Sequence, residues 1–308
     1  MKINTAAIVG LGALGVMYGH HLAKRMPGGA LHVVADEERI SQYRQSGVLC
    51  NSEACAFEYW TPNEAQPVDI VFVGVKQPGL EDAMEAMKRL IGSHTVILSL
   101  LNGIISEQLL ADRFGADKLL LCTAQGMDAV REGRSVTYHN MGWLVFGDIT
   151  PGVPSDKAQA AADFLTRNEV PHIHADDMPR RLWSKFMLNC GVNQVLAVYG
   201  GGYKDVQQPG ERRDMMLAAM REVMVLARCE GITLGEEDVD GWMKLLATLN
   251  PLGKPSMQQD AEAHRQSEVE LFAGTVTRLG IKHGIPTPVN DTLYRMILQM
   301  ESAYRAGL

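Results

Sequence analysis

Residues Ala6 to Gly15 read AAIVGLGALG, and VMYGHHLAKR follows. The apolar start suits a strand, Gly10-x-Gly12-x-x-Gly15 a tight turn, and the continuation a helix. Each glycine has a task in that arrangement: Gly10 lets the chain turn, Gly12 removes a side chain that would block a pyrophosphate, and Gly15 lets the helix pack closely on the strand. The phosphates then meet free backbone amides and the positive end of the helix dipole. Leu11, Ala13 and Leu14 complete the loop. Alone the glycine pattern is weak, but between a strand and a helix it is a dinucleotide-binding signature.

A second strand, Leu31 to Ala35, ends at Asp36, about twenty residues past the last glycine, where an acidic residue takes the ribose hydroxyls of NAD and repels the extra phosphate of NADP. Arg39 and Arg44 follow closely, and either suits a phosphate. Asp36 also reads as a helix N-cap before Glu37 and Glu38, so the choice between NADP(H) and NAD(H) is open at this point. Val68 to Lys76 (VDIVFVGVK) and Thr95 to Gly103 (TVILSLLNG) are apolar runs suited to parallel strands covered on both faces. Lys76 and Asn102 stand at their carboxyl ends, where open α/β sheets bind ligands. The plainer readings are a solvated strand end and an Asn-Gly turn. Leu119 to Cys122 is another strand, and Ser135 to His139 with Trp143 to Gly147 alternate like a hairpin closing the sheet. Residues 151–154 turn to Gly and Pro, Ser155 to Thr166 reads as a helix, and Pro171 to His174 as a short strand.

Past Met178 the periodicity is nearly all helical, including Arg212 to Glu230 and Glu262 to His283. The expected fold is therefore α/β, with a Rossmann-type doubly wound sheet over residues 1–176 and an all-helical domain over residues 177–308. The first long helix runs from Arg180 to Tyr199, RRLWSKFMLNCGVNQVLAVY, and Gly200-Gly201-Gly202 breaks it. Lys185, Asn189 and Asn193 recur every four residues and share one face at ~3.6 residues per turn. Apolar residues cover most of the remaining circumference, so the helix is expected to be largely buried. An amine and two amides in such surroundings need partners, because burying them alone costs kcal/mol; the bland reading makes them solvated positions on an amphipathic helix.

The 308 residues can bury a sizeable core, and two domains suit the length better than one. Hydrophobic residues make up 46% and charged residues 21%, and no apolar run reaches the ~18 to 20 residues that span a bilayer, so a soluble globular protein is expected. The lysine and apolar stretch of MKINTAAIVGLG are broken by glycines and lack a signal-peptide cleavage pattern, which makes them a first strand. A net charge of -7 argues against a nucleic-acid face, so an anionic substrate has to be met by local groups. Cys50, Cys55, Cys122, Cys190 and Cys229 are scattered without paired metal spacing, which suits free thiols in a reducing cytoplasm. His20 with His21, and His172 with His174, lack convergent acidic or thiol ligands, so no metal site is expected and exposed or capping roles are.

Three stretches resemble the ketopantoate reductase family (2-dehydropantoate 2-reductases), and the resemblance covers essentially the full length. They are GLGALG, LWSKFMLNCGVNQ with its tryptophan, lysine and two spaced asparagines, and SMQQDAEAHRQSEVELFAG with its Ser-Met, Gln-Asp, Arg, Ser-Glu and Gly. Lys76, the Leu-Asn102-Gly103 turn and the helix start at Pro286 to Asn290 are similar to the family as well. The resemblance implies an N-terminal Rossmann domain joined to a helical domain, and reduction of 2-dehydropantoate to pantoate by NADPH, a step of pantothenate biosynthesis. It implies Lys185 as general acid, Glu268 as ligand of the substrate hydroxyl, Ser256 and Asn189 as holders of the substrate, and Asn193 and Asn102 in support.

The residues fit that chemistry independently: hydride arriving at a ketone carbon leaves negative charge on oxygen, and an ammonium within reach stabilises the charge and supplies the proton. Without the resemblance, Glu268 reads as a surface residue on a helix with Arg265, and Ser256 as the N-cap of a capping-box spelling, SMQQ. Three departures stand out: Gly253 where members usually have asparagine three residues before the serine, Asp36 where many have arginine, and Gly200-Gly201-Gly202-Tyr203 where an asparagine-containing turn is expected. They touch substrate fit and cofactor choice, so a paralogue acting on another small 2-keto acid is the first alternative. A non-catalytic nicotinamide-binding sensor is the second, and Lys185 and Glu268 speak against it. The long apolar helices offer a surface for a homodimer.

Overall fold

Strand-forming and helix-forming stretches alternate from the first residues onward. The structure, a computed structural model, describes residues 1–152 and 154–305; Val153 of the expected Gly/Pro stretch and residues 306–308 of the expected helical domain lie outside the described residues. The chain divides into two units, one of residues Met1–Asn102 with Ser106–Pro179, the other of Gly103–Ile105 with the chain from Arg180 onward. No helix among the described residues is long and apolar enough to cross a membrane.

The first unit contains, in chain order, β1 (Ala6–Val9), α1 (Ala13–Ala23), β2 (Leu31–Val34), α2 (Glu37–Ser46), β3 (Leu49–Cys50), β4 (Glu53–Ala54), β5 (Glu58–Trp60) and β6 (Ile70–Val73). It continues with α3 (Leu80–Ala86), β7 (Val96–Ser99), α4 (Ile105–Phe114), β8 (Leu119–Gln125), β9 (Val130–Glu132), β10 (Ser135–Thr137), β11 (Trp143–Gly147), α5 (Asp156–Arg167) and β12 (His172–His174). Eight strands form the main sheet in the order β12-β11-β8-β7-β6-β1-β2-β5. All pairings in it are parallel except β11 with β8. Every residue of β1, β2, β6 and β7 is buried, as continuous apolar runs covered on both faces require.

The expected hairpin of Ser135 to His139 with Trp143 to Gly147 does not form. β10 belongs to a second sheet of order β4-β3-β10-β9, while β11 pairs with β8 and β12 in the main one. Alternation marks a strand but not its partner. The connection is tied elsewhere: the Asp128 carboxylate accepts from the backbone amides of His139 at 2.9 Å and Asn140 at 2.8 Å. Gly142, at φ +63°, has the Gln125 carbonyl oxygen where a Cβ would stand, so the chain turns from one sheet into the other there.

The helical elements are α6 (Met178–Tyr199), α7 (Lys204–Gln207), α8 (Glu211–Cys229), α9 (Glu236–Thr248), α10 (Ser256–Glu262), α11 (Ala273–His283) and α12 (Pro288–Arg305). The core of the second unit joins Phe186, Met187, Cys190 and Val195 of α6 to Met216, Met220 and Val223 of α8. Gly191 sets their separation, because a Cβ there would meet Met220 Cγ at 2.7 Å and the Met216 carbonyl oxygen at 3.0 Å. The helix expected from Glu262 to His283 is interrupted: α10 ends at Glu262 and α11 starts at Ala273. His264 adopts φ +52°, and the Ser267 amide donates to Glu301 Oε1 at 2.8 Å, which holds the intervening turn away from helical geometry.

Candidate active site

The glycine loop lies where β1 ends. Gly10 has φ +96°, and a Cβ on it would run into the backbone nitrogen of Val75 at 2.8 Å. A Cβ on Gly12 would stand 2.8 Å from the Gly74 carbonyl oxygen, and one on Gly15 would meet the Gly10 carbonyl oxygen. The glycines thus serve close backbone packing. Gly74 is a fourth member that sequence reasoning missed: its Cβ would lie 3.0 Å from the Gly10 carbonyl oxygen and 3.2 Å from Gly15 Cα. The signal was available, in the GVK that closes the run of β6.

Helix α1 begins after Gly12 with no side-chain cap and no acidic residue in its first turn. The helix thus sets no carboxylate of its own against its terminal amides, which fits an anionic pyrophosphate held by residues 10–15, Leu11, Ala13 and Leu14 included. Register places the other cofactor-side candidates on the same edge of the sheet. Val9 pairs with both Val34 and Val73, and Val73 with Ser99, so β1, β2, β6 and β7 end level. Asp36, Lys76 and Asn102 follow those ends within a few residues.

Asp36 is the N-cap of α2: its Oδ1 accepts from the Arg39 amide at 2.7 Å, and its Oδ2 lies 3.4 Å from Arg39 Nε. The carboxylate remains exposed at the rim. Lys76 is exposed and precedes a short turn of 3₁₀ helix. Asn102 is half-buried beside Gly103, at φ +89°. Beneath that turn, the Leu101 amide donates to Ser99 Oγ at 3.3 Å, Ser99 and Ser106 hydroxyls bond at 2.8 Å, and Ser106 Oγ donates to Glu107 Oε2 at 2.8 Å. Nothing in the spacing of these residues announced that buried chain of bonds.

In the helical unit, α6 presents Lys185, half-buried, and Asn189 and Asn193, each 7% exposed, on one face. Neither amide side chain forms a hydrogen bond among the described residues. Neither amide is among the buried unsatisfied groups, so their polar atoms stay reachable from solvent and can meet a ligand. The next residue, Gln194, is fully buried and bonded at every position. Its Nε2 donates to the Cys190 carbonyl at 2.7 Å and to Asn290 Oδ1 at 3.1 Å, and its Oε1 accepts from the Ala273 amide at 3.0 Å. Asn290 in turn donates its Nδ2 to Glu222 Oε2 at 2.7 Å.

Three expectations are corrected. Glu268 lies in the turn before α11, half-buried, and not on a helix with Arg265; its carbonyl accepts from the Leu271 amide at 2.9 Å. Gln194, by holding Ala273, fixes the end of that same turn. Ser256 is the first residue of α10 and exposed, while Pro255 takes the N-cap position with no side-chain cap bond. The proline ring presets the extended φ of a cap, which displaces the capping-box reading of SMQQ. His20 is buried rather than exposed, with Nε2 3.3 Å from Glu53 Oε2. All five cysteines are free thiols. Among the described residues no three His, Cys, Asp or Glu side chains converge as metal ligands. Lys185, Asn189, Asn193, Ser256 and Glu268 thus share the helical unit, and the glycine loop, Asp36, Lys76 and Asn102 share the sheet unit.

A family profile described as "Ketopantoate reductase PanE/ApbA" matches residues 6–151, and one described as "Ketopantoate reductase PanE/ApbA C terminal" matches residues 177–301. The 2-dehydropantoate 2-reductase of Streptococcus pyogenes serotype M6 is 23% identical over 306 residues, 98% of each chain. Among solved structures, a PanE/ApbA family ketopantoate reductase from Ralstonia eutropha JMP134 is similar with a TM-score of 0.81 at 25% identity, over 98% of this chain and 99% of that one. D-mandelate dehydrogenase, in a ternary complex with NADH and anilino(oxo)acetate, has a TM-score of 0.83 at 22% identity, over 98% and 99% of the two chains, and shares the fold.

Proposed function

The chain belongs to the ketopantoate reductase family, an NAD(P)-dependent oxidoreductase family, and from that premise we propose that it reduces a small 2-keto acid to the 2-hydroxy acid. The acid its relatives' names give is 2-dehydropantoate, with pantoate as product and pantothenate biosynthesis as the setting. The observation that carries this reading is the α6 face: an amine and two amides, the amides nearly buried and unpartnered in the fold.

A bound nicotinamide would supply the hydride. The Lys185 ammonium then donates a proton to the carbonyl oxygen on which charge develops, a contribution of about 10² to 10⁴ in rate. Asn189 and Ser256 hold the acid, Glu268 accepts from its hydroxyl, and Asn193 and Asn102 support them. Residues 10–15 and Lys76 hold the cofactor. NADPH is the coenzyme of the family resemblance, and the exposed carboxylate of Asp36 at the rim favours NADH. The same proposal places the protein in the cytoplasm, as a homodimer whose contact uses exposed apolar side chains such as Ile281, 78% exposed.

The test is a hydride-transfer assay with 2-dehydropantoate, run in parallel with NADPH and NADH. Lys185→Ala lowers kcat by about 10² or more with cofactor affinity unchanged; an unchanged rate removes Lys185 as the acid. Faster use of NADH assigns Asp36 to the ribose. A second reading, another small 2-keto acid in place of 2-dehydropantoate, is favoured by one contact, between Tyr203 and Gly253.

A further inference from the structure

After α6 the chain turns at Gly200 and Gly201, at φ +70° and +101°, and runs back along the loop that leads into Ser256. The two loops are stitched through their backbones: the Tyr203 amide donates to the Gly253 carbonyl at 2.9 Å, and the Lys204 amide to the Pro251 carbonyl at 2.9 Å. A Cβ on Gly202 would meet the Pro251 carbonyl oxygen at 2.8 Å, so the approach leaves no room for a side chain there. The Tyr203 ring lies over Gly253, where a Cβ would stand 3.1 Å from both Cδ2 and Cε2. Gly253 does not have a positive φ. Its backbone dihedrals would accept any residue, and what a side chain would meet there is the Asn250 carbonyl oxygen at 3.0 Å together with the ring.

Tyr203 is half-buried and packs on the helical core, and burial pushes its phenol pKa up. Its hydroxyl forms no hydrogen bond among the described residues. The ring is therefore held by its apolar face and edge alone. Gly253 and Tyr203 are also two of the positions at which the chain departs from the asparagines of the resemblance, and the structure makes them one contact. A side-chain amide at either position would offer donors and acceptors to a hydroxylated carbon chain; glycine under an aromatic ring offers an apolar wall.

We propose that Tyr203, seated on Gly253 three residues before Ser256, is a specificity-determining residue that selects 2-keto acids whose chain beyond the keto carbon is apolar, branched or aryl, over those with a hydroxyl there. The inference rests on the reading of the chain as a 2-keto acid reductase. An apolar wall distinguishes substrates by about 10- to 200-fold per methylene-sized group, whereas a site built to bond a hydroxyl rejects its absence by about 10⁴ or more.

The matched probes are 2-dehydropantoate and 3,3-dimethyl-2-oxobutanoate, which differ only in the terminal hydroxyl, with phenylglyoxylate as an aryl probe. Their kcat/KM values are measured on the full chain with NADPH and NADH. The wild type is expected to prefer 3,3-dimethyl-2-oxobutanoate by about tenfold or more. Tyr203→Phe keeps that preference, and Tyr203→Asn combined with Gly253→Asn lowers it at least threefold. Should that double variant fail to fold, Gly253→Ala serves instead, since its Cβ presses on the Tyr203 ring as well as on the Asn250 carbonyl oxygen and lowers the same ratio. A ratio below threefold in the wild type, a preference for 2-dehydropantoate, or a ratio unmoved in the double variant or in Gly253→Ala overturns the inference and leaves the reductase reading intact. Absence of turnover on all three acids removes both.

Discussion

Gln194→Leu isolates one buried polar residue that ties three helices together. Leucine is close in volume, so little cavity opens, but it returns none of the three hydrogen bonds. The Ala273 amide and Asn290 Oδ1 lose their partner inside a core where Gln194 and Asn290 are both 0% exposed. The Cys190 carbonyl loses less, because it belongs to the body of α6 and has the helix ladder as well. Two orphaned groups at about 1–3 kcal/mol each put the loss at about 3 kcal/mol, after allowing for the apolar surface leucine buries. For a chain of this size each kcal/mol lowers Tm by about 2–4 °C, so a fall of about 6–12 °C is expected in a thermal melt. Gln194→Glu is the control: it keeps the acceptor for Ala273 but puts a carboxylate oxygen against Asn290 Oδ1, and should melt at least as low. A Gln194→Leu protein melting within about 1 °C of the wild type would refute the claim that this residue fixes the start of α11, and with it the turn that contains Glu268.

Asn189→Leu removes a nearly buried amide that makes no hydrogen bond in the fold, so Tm should hold while kcat/KM falls at least about tenfold; loss of both would make Asn189 a structural residue. Gly74→Ala places a methyl group 3.0 Å from the Gly10 carbonyl oxygen and 3.2 Å from Gly15 Cα, where backbone has to yield, so a loss of about 1–3 kcal/mol and weaker dinucleotide binding are expected from melting and fluorescence titration. Unchanged affinity would separate Gly74 from the phosphate loop. Burial lowers the pKa of His20, His21 and His32 below the ordinary 6.5, so the folded protein binds fewer protons than the unfolded chain below that pH. Stability should therefore be full above pH 6.5 and decline as the pH falls below it, well before carboxylates with an ordinary value of 4.5 titrate. Denaturant melts at pH 7.5 and 5.5 check this, and His32→Phe, which keeps a ring stacked on Trp60, should flatten the slope.

Where a feature depends on neighbours in sequence, the chain announces it. AAIVGLGALG, the apolar runs of β6 and β7 and the four-residue recurrence of Lys185, Asn189 and Asn193 all have local causes, namely sheet burial and helical period. Where a feature depends on distant partners, local pattern misleads. Strand alternation in residues 135–147 could not show that Asp128 ties the connection away from a hairpin. The helical spelling around Glu268 is overridden by Glu301 and Gln194, which bind the turn from α12 and α6. Tyr203 and Gly253 read as two separate departures because the contact that unites them crosses fifty positions of sequence. Pro255 took the cap from Ser256 by its ring geometry alone, a purely local effect that a capping-box reading should have weighed.

The backbone-to-backbone packing of Gly10, Gly12, Gly15 and Gly74 also bears on how such a protein can change over generations. At these four positions the glycine loop has almost nothing to vary, because a side chain at any of them collides with neighbouring backbone. The exposed rim is under no such constraint, since Asp36 and Arg39 meet solvent and a change at either disturbs only a helix cap. If the proposed coenzyme reading holds, a lineage that needs a different coenzyme has its route of drift confined to that rim, while the glycine loop stays frozen.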